Sequence, residues 1–137
     1  NSVAPERYVG EVTKAQLKGT VIYNGHDLNA AVYTVLNCLN HISSSYFYGA
    51  TMLTDILRGA ESDRISKFRL NMVNEYAAMA DWSREDVTAL IYWLIDNHYI
   101  HRTKEQYPVL HMTNEGLHYG ENITIGKLKQ LDAYLCR

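Results

Sequence analysis

The residues best suited to chemistry lie in one stretch, Ala50-Thr51-Met52-Leu53-Thr54-Asp55-Ile56-Leu57-Arg58-Gly59-Ala60-Glu61-Ser62-Asp63-Arg64-Ile65. Met52, Leu53, Ile56 and Leu57 recur at helical spacing. Gly59 is the expected stop, because glycine takes the left-handed backbone without penalty. Arg58 and Arg64 lie on either side of that stop. A helix end that holds exposed cations beside free backbone groups is a phosphate-binding corner, and such contacts fix register without reading sequence. The competing reading of Arg64 is a solvated charge paired with Glu61 or Asp63.

Two further groups carry polar chemistry. Ser83, Arg84 and Thr88 open a long helix, where free N–H groups attract a phosphate. Ser83 is a cap in either case, and Glu85 and Asp86 beside it oppose an anion. Arg102, Lys104, Gln106 and Tyr107 share a polar bend. Catalytic chemistry finds no support: there is no nucleophile elbow, no HExxH and no P-loop. Cys38 and Cys136 stand outside any CxxC pair, so the usual zinc spacing is absent. His98, His101 and His111 approach one another around the bend, again without a familiar ligand spacing. Cys38, among apolar helical positions, reads as a buried inert thiol.

Composition bounds the rest. A chain of 137 residues, 47% of them hydrophobic, suffices for one domain with a core and excludes disorder. Thirteen basic against 15 acidic residues, a net charge of -2, exclude a uniformly basic coat and leave room for a local patch. Eleven tyrosines against two phenylalanines suit core edges and binding surfaces, since each has an apolar body and a polar tip. No apolar run approaches a membrane span and no signal peptide is visible, so no membrane partner is expected. The lone cysteines suit a reducing, intracellular setting. The chain opens on Asn1 rather than Met and is expected to be a piece of something larger.

The elements that position these residues follow from periodicity. Residues 1–25, punctuated by Pro5, Gly10, Gly19 and Gly25, allow a short helix over Glu11 to Lys18 and an extended piece at Thr20-Val21-Ile22-Tyr23. Asp27 caps a helix over 28–43, whose face is Leu28, Val32, Val35, Leu36, Leu39 and Ile42. Tyr46-Phe47-Tyr48-Gly49 plugs the core ahead of the second helix, 50–58. Ser62 and Asp63 cap a third around Arg64, Ile65 and Phe68, and the apolar pattern runs on to Met79. Ser83 with Asp86 resembles a capping box for the long helix, with Val87, Leu90, Ile91, Leu94 and Ile95 inward and Tyr92 and Trp93 partly exposed. Tyr99–Thr103 and Val109–Thr113 read as a hairpin around Lys104–Pro108. Asn114 caps a short helix near 115–119, and 121–137 carries a weak helical pattern. This order is mostly α with a small β-hairpin (α+β), a winged helix-turn-helix over 26–120 with an N-terminal extension and a C-terminal tail or linker.

At Ile56-Leu57-Arg58-Gly59-Ala60, with Arg64-Ile65 after it, the sequence resembles the RQC domain, the winged helix in the C-terminal half of RecQ-family DNA helicases. The shared register continues through Tyr76, Asp81, Ser83, Leu90-Ile91, Leu94-Ile95 and Leu110-His111-Met112-Thr113, roughly residues 28–120. The family pattern has Tyr/Phe-Gly followed by Gly and Lys where this chain has Tyr76-Ala77-Ala78-Met79-Ala80-Asp81-Trp82. It has glycine after the long helix, at Asn97-His98 here, and often Ser in place of Ala60.

The resemblance implies double-stranded or forked DNA as partner and a helicase core upstream in cis. ATP, Mg and a structural Zn module would belong to that parent, an ATP-dependent helicase of DNA repair, recombination or replication; no cofactor is expected in this fragment. The expected location is cytoplasmic, nucleoid-associated in a bacterium. The implied DNA-facing set is Arg58, Gly59, Arg64, Ser83, Arg84, Thr88, Arg102, Lys104 and Tyr107. Tyr107 at the wing tip stacks on the terminal base pair or, with Pro108 directly after it, folds back on the hairpin. Tyr92 and Trp93 meet the helicase core or are packed within the domain. A winged helix that binds protein, or one that regulates transcription, is the alternative.

Overall fold

The computed structural model describes residues 10–137. Pro5 lies outside them. Two short strands, β1 (Ile22–Tyr23) and β2 (His26–Asp27), pair antiparallel with Tyr23 opposite His26. Asn24 (φ 50) and Gly25 (φ 81) supply the two left-handed residues of a tight two-residue hairpin turn. The expected helix over Glu11 to Lys18 is absent. Along 13–18 burial alternates, with Thr13, Ala15 and Leu17 half-buried and Lys14, Gln16 and Lys18 exposed, which is the two-residue period of extended chain. Its backbone bonds elsewhere: Thr13 N–H donates to Leu117 O at 3.0 Å, and Thr13 Oγ1 accepts from Gly120 N–H at 2.8 Å.

Helix α1 (Leu28–Ile42) starts where Asp27 accepts from the Asn29 N–H at 3.0 Å. Helix α2 (Ala50–Arg58) and helix α4 (Arg84–Asp96) pack against each other, with the short helix α3 (Asp63–Lys67) and a single 3₁₀ turn (Leu70–Met72) between them in sequence. The apolar pattern expected to continue α3 to Met79 is instead a run of turns. Ser83 Oγ accepts from the Asp86 N–H at 3.1 Å, half of the expected capping box. The reciprocal half is missing, because the Asp86 carboxylate accepts from Tyr23 Oη at 2.9 Å.

The wing follows. Strands β3 (Ile100–Arg102) and β4 (Leu110–Met112) are antiparallel, with His101 opposite His111. Leu110 N–H donates to Tyr48 O at 2.8 Å, tying the wing to the loop between α1 and α2. After β4, the cap is Thr113 rather than Asn114: its hydroxyl accepts from Gly116 N–H at 2.9 Å and donates to His98 O at 2.6 Å. The short helix divides into α5 (Asn114–Leu117) and α6 (Tyr119–Asn122).

Residues expected as a tail form helix α7 (Ile125–Leu135), which packs on α4 and α1 and buries Leu128, Leu131 and Leu135. Three inward leucines on alternating three- and four-residue steps are enough to dock a helix, though they look weak as a pattern. With α7 also against α4, Trp93 is buried rather than partly exposed, its ring 6.3 Å from that of Tyr99. The fold is a mostly helical α+β winged helix, as its element order implies. No helix among the described residues is long and apolar enough to cross a membrane.

Candidate nucleic-acid interface

The C-terminal end of α2 is closed. Gly59 takes φ 77, and the N–H groups of Gly59 and Ala60 bond back to Ile56 O and Asp55 O at 3.1 and 2.9 Å. The following loop caps what remains: Ala77 N–H donates to Ile56 O at 2.9 Å and Met79 N–H to Leu57 O at 2.8 Å. Tyr76 Oη reaches Gly59 O and Ala60 O at 3.0 and 2.9 Å. The free backbone groups expected beside Arg58 are therefore taken, since a helix end buried under a loop must satisfy its carbonyls. Arg58 is half-buried, and its Nε–H donates to Trp82 O at 3.0 Å, which pins the loop that leads into α4.

Arg64, five residues beyond Gly59, is exposed. Among the described residues it has no ion pair, with Glu61, Asp63 or any other carboxylate. It stands near Tyr48. Burial pushes the Tyr48 phenol above its ordinary value, against the pull of the Arg64 charge.

The start of α4 is occupied by protein contacts. Ser83 is a cap, and Arg84 Nη1 meets Asp55 Oδ1 of α2 at 2.6 Å. Thr88 Oγ1 lies 3.4 Å from the buried Thr54 hydroxyl. Further along the same face, Tyr92 carries the Arg102 guanidinium 5.9 Å above its ring. At the wing tip Tyr107 is 79% exposed, so it does not fold back on the hairpin. Pro108, directly after it, stiffens the chain there. Lys104 is also exposed.

These elements enclose a groove of about 400 Å³ between the wing, the N-terminal turn of α2, α3 and α4. Arg64, Arg102 and Tyr107 line it together, from three separate stretches of sequence, with Tyr48 and Tyr92 as its aromatic floor. The N-cap of α2, Gly49, offers no side-chain bond to the first N–H groups of the helix, and Gly49 to Met52 line the same groove. Asp55 is its one lining carboxylate among the described residues, and Arg84 neutralises it. Arg58, Gly59, Ser83, Arg84, Thr88 and Lys104 lie outside the lining.

The groove is thus cationic and aromatic, open at one end to an exposed tyrosine, and built on a winged helix. A family model described as the RQC domain matches residues 23–129. The chain belongs to the RQC domain family. RQC domains are found in RecQ helicases and bind DNA, and that is the class of activity to which this winged helix belongs. A search of curated proteins returns no match.

Two positions at which the family pattern has glycine keep the glycine backbone in this RQC domain without the residue. Ala77 sits at φ 64 and His98 at φ 67, both in the left-handed region. The loop between α3 and α4 and the turn after α4 therefore hold the shape their neighbours impose.

The residues that sequence reasoning passes over are Phe47 and Tyr48, which line the groove although Tyr46-Phe47-Tyr48 reads as a core plug. Only Tyr48 of the three is buried. The available signal was the end of the helical period at Ser43-Ser44-Ser45, after which an inward face can no longer be assigned. Among the described residues no cluster suited to hold a metal ion is present. The His101 and His111 rings stand 6.3 Å apart across the wing.

Proposed function

We propose that this RQC domain docks the backbone of duplex DNA at a fork, ahead of a RecQ-type ATP-dependent motor in the same protein, and presents Tyr107 to the terminal base pair. The observation that carries this reading is the shared groove, which Arg64, Arg102 and the exposed Tyr107 line together. Two guanidinium groups and the uncapped first turn of α2 suit successive phosphates, and none of these contacts reads bases. Binding is electrostatic and independent of sequence. Lys104 adds charge on the wing loop, Arg84 is held by Asp55, and Arg58, Gly59, Ser83 and Thr88 shape the frame that holds the groove.

The test is a fluorescence titration of the 137-residue chain with forked and blunt duplexes at two salt concentrations. Arg64→Ala with Arg102→Ala weakens binding and lowers the magnitude of the log–log salt slope by about 2, one for each lost phosphate contact. Tyr107→Ala weakens binding of the forked substrate and leaves the salt slope unchanged, since the phenol carries no charge. An unchanged salt slope in the double arginine variant overturns the assignment.

A further inference from the structure

A second aromatic and cationic surface adjoins the groove, and its rings have no part in duplex docking. Tyr46 and Phe68 stand with ring centroids 5.6 Å apart, edge to face, and Tyr48 lies 6.2 Å from Phe68. Tyr46 is 59% exposed and Phe68 36%, which is high for large rings that nearly touch. A hollow of about 260 Å³ opens beside them, between the end of α1 and the residues after α3. Tyr48 lines both this hollow and the groove, so the two lie on either side of one residue.

Its charge is one-sided. Arg64 lines the groove near Tyr48, Lys67 Nζ lies 5.8 Å from the Phe68 ring centroid, and Arg69 lines the hollow. None of the three has an ion pair among the described residues. No carboxylate lines the hollow among those residues. Glu75 is engaged with His41 at 2.9 Å, and Asp63 and Glu61 lie before Arg64 on the α3 approach.

We propose that Tyr46 and Phe68, flanked by Arg64, Lys67 and Arg69, are a path for single-stranded DNA that continues from the duplex groove. Exposed rings flanked by cations suit an unpaired strand, since a base stacks on an aromatic surface while its phosphate meets a positive charge. Such stacking tolerates any sequence because every base has a π-face. A protein partner would be matched by a broader apolar patch, and here Lys67 and Arg69 stand beside a small ring cluster. Duplex DNA keeps its bases stacked and leaves exposed rings without a role. The proposal rests on the docking reading only in direction: a strand freed at Tyr107 has this surface next in line.

The test measures anisotropy of a labelled oligothymidine and of a blunt duplex against the 137-residue chain. Tyr46→Ser with Phe68→Ser lowers single-strand affinity about tenfold or more and leaves blunt-duplex affinity unchanged. Lys67→Gln with Arg69→Asn, the asparagine chosen because it tolerates the left-handed backbone at residue 69 (φ 57), flattens the salt slope for the single strand by about 0.7 per phosphate. Circular dichroism and thermal unfolding check that each variant is folded. An unchanged single-strand affinity in the aromatic variant overturns the proposal, as does an equal loss for both substrates, or a wild-type chain with no single-strand affinity. If these rings are instead needed only for contact with the helicase core, the surface is a protein interface and the proposal fails. Loss of duplex binding with the single-strand result intact sinks the docking reading alone.

Discussion

Gly59 and Ala77 meet back to back: a Cβ placed on Gly59 would stand 2.7 Å from the Ala77 Cβ. Both residues are left-handed, at φ 77 and φ 64, and Ala77 N–H also donates to Ile56 O. The end of α2 and the loop beneath it therefore share one tight contact. Gly59→Ala costs about 1–2 kcal/mol for the left-handed backbone, before any overlap is counted. Ala77→Gly relieves strain of similar origin, partly offset by a more flexible unfolded chain, and is neutral to stabilising by up to about 1 kcal/mol. Because the facing Cβ is then gone, Gly59→Ala costs less in the Ala77→Gly background than alone. Urea unfolding of the four proteins in the cycle measures the coupling. Strict additivity would show that the two residues do not press on each other.

Arg58 and Arg64 look equivalent in sequence and are not equivalent in the structure. Arg58 Nε–H holds Trp82 O at 3.0 Å, whereas Arg64 is exposed and has no ion pair among the described residues. Arg58→Ala is expected to destabilise the fold by about 1.5–3 kcal/mol, the range for a hydrogen bond with a charged partner. Arg64→Ala stays within about 0.5 kcal/mol, as surface substitutions do, and its effect is seen in DNA titrations. Equal melting temperatures for the two variants would contradict this division.

The difference between these arginines shows what a single sequence can and cannot carry. The scaffold is legible: apolar steps from Leu28 to Ile42 and from Met52 to Leu57 are local, as are the stop at Gly59 and the Ser83 cap. Asn24-Gly25 and the alternation from Thr13 to Lys18 are equally local signals, of a hairpin and of extended chain. The weak period of α7 becomes a core helix only because α1 and α4 offer it a surface. Site assignment fails where a partner is distant. Arg58 is claimed by a carbonyl 24 residues away and Arg84 by a carboxylate 29 residues away. Whether a charge is free to meet a phosphate is thus a tertiary property, and Arg64 and Arg102 converge through the fold alone.

Asp55 restrains Arg84 at the edge of the groove. The pair is short, 2.6 Å, with side chains 46% and 28% exposed, so it contributes only about 0.2–1 kcal/mol to stability. Asp55→Asn removes the groove's lining carboxylate among the described residues and releases a cation beside it. Duplex affinity is expected to rise several-fold at low salt, with a steeper salt slope, while the melting temperature changes by a few degrees at most. Weaker binding in Asp55→Asn would mean that the ion pair holds Arg84 in its DNA-competent position.

The N-terminal hairpin is fastened to α4 and α7 through one phenol. Tyr23 Oη donates to Asp86 Oδ2 at 2.9 Å and also lies 3.2 Å from Leu135 O. The hydrogen bond to Asp86, with burial and the nearby carboxylate charge adding to it, pushes the Tyr23 phenol up from 10.0 to about 12. The folded state thus holds the Tyr23 proton more tightly than the unfolded chain does. The resulting stabilisation is complete below about pH 10 and is lost as the pH rises toward about 12. Above pH 10 wild-type stability should therefore fall through this window, and Tyr23→Phe, already lacking the bond at neutral pH, should show a correspondingly shallower decline. Asp86→Asn keeps an acceptor and loses the charge, so it retains part of the neutral-pH stability and shifts the alkaline decline to lower pH. Parallel alkaline unfolding curves for wild type and Tyr23→Phe would rule out this phenol as the titrating fastener.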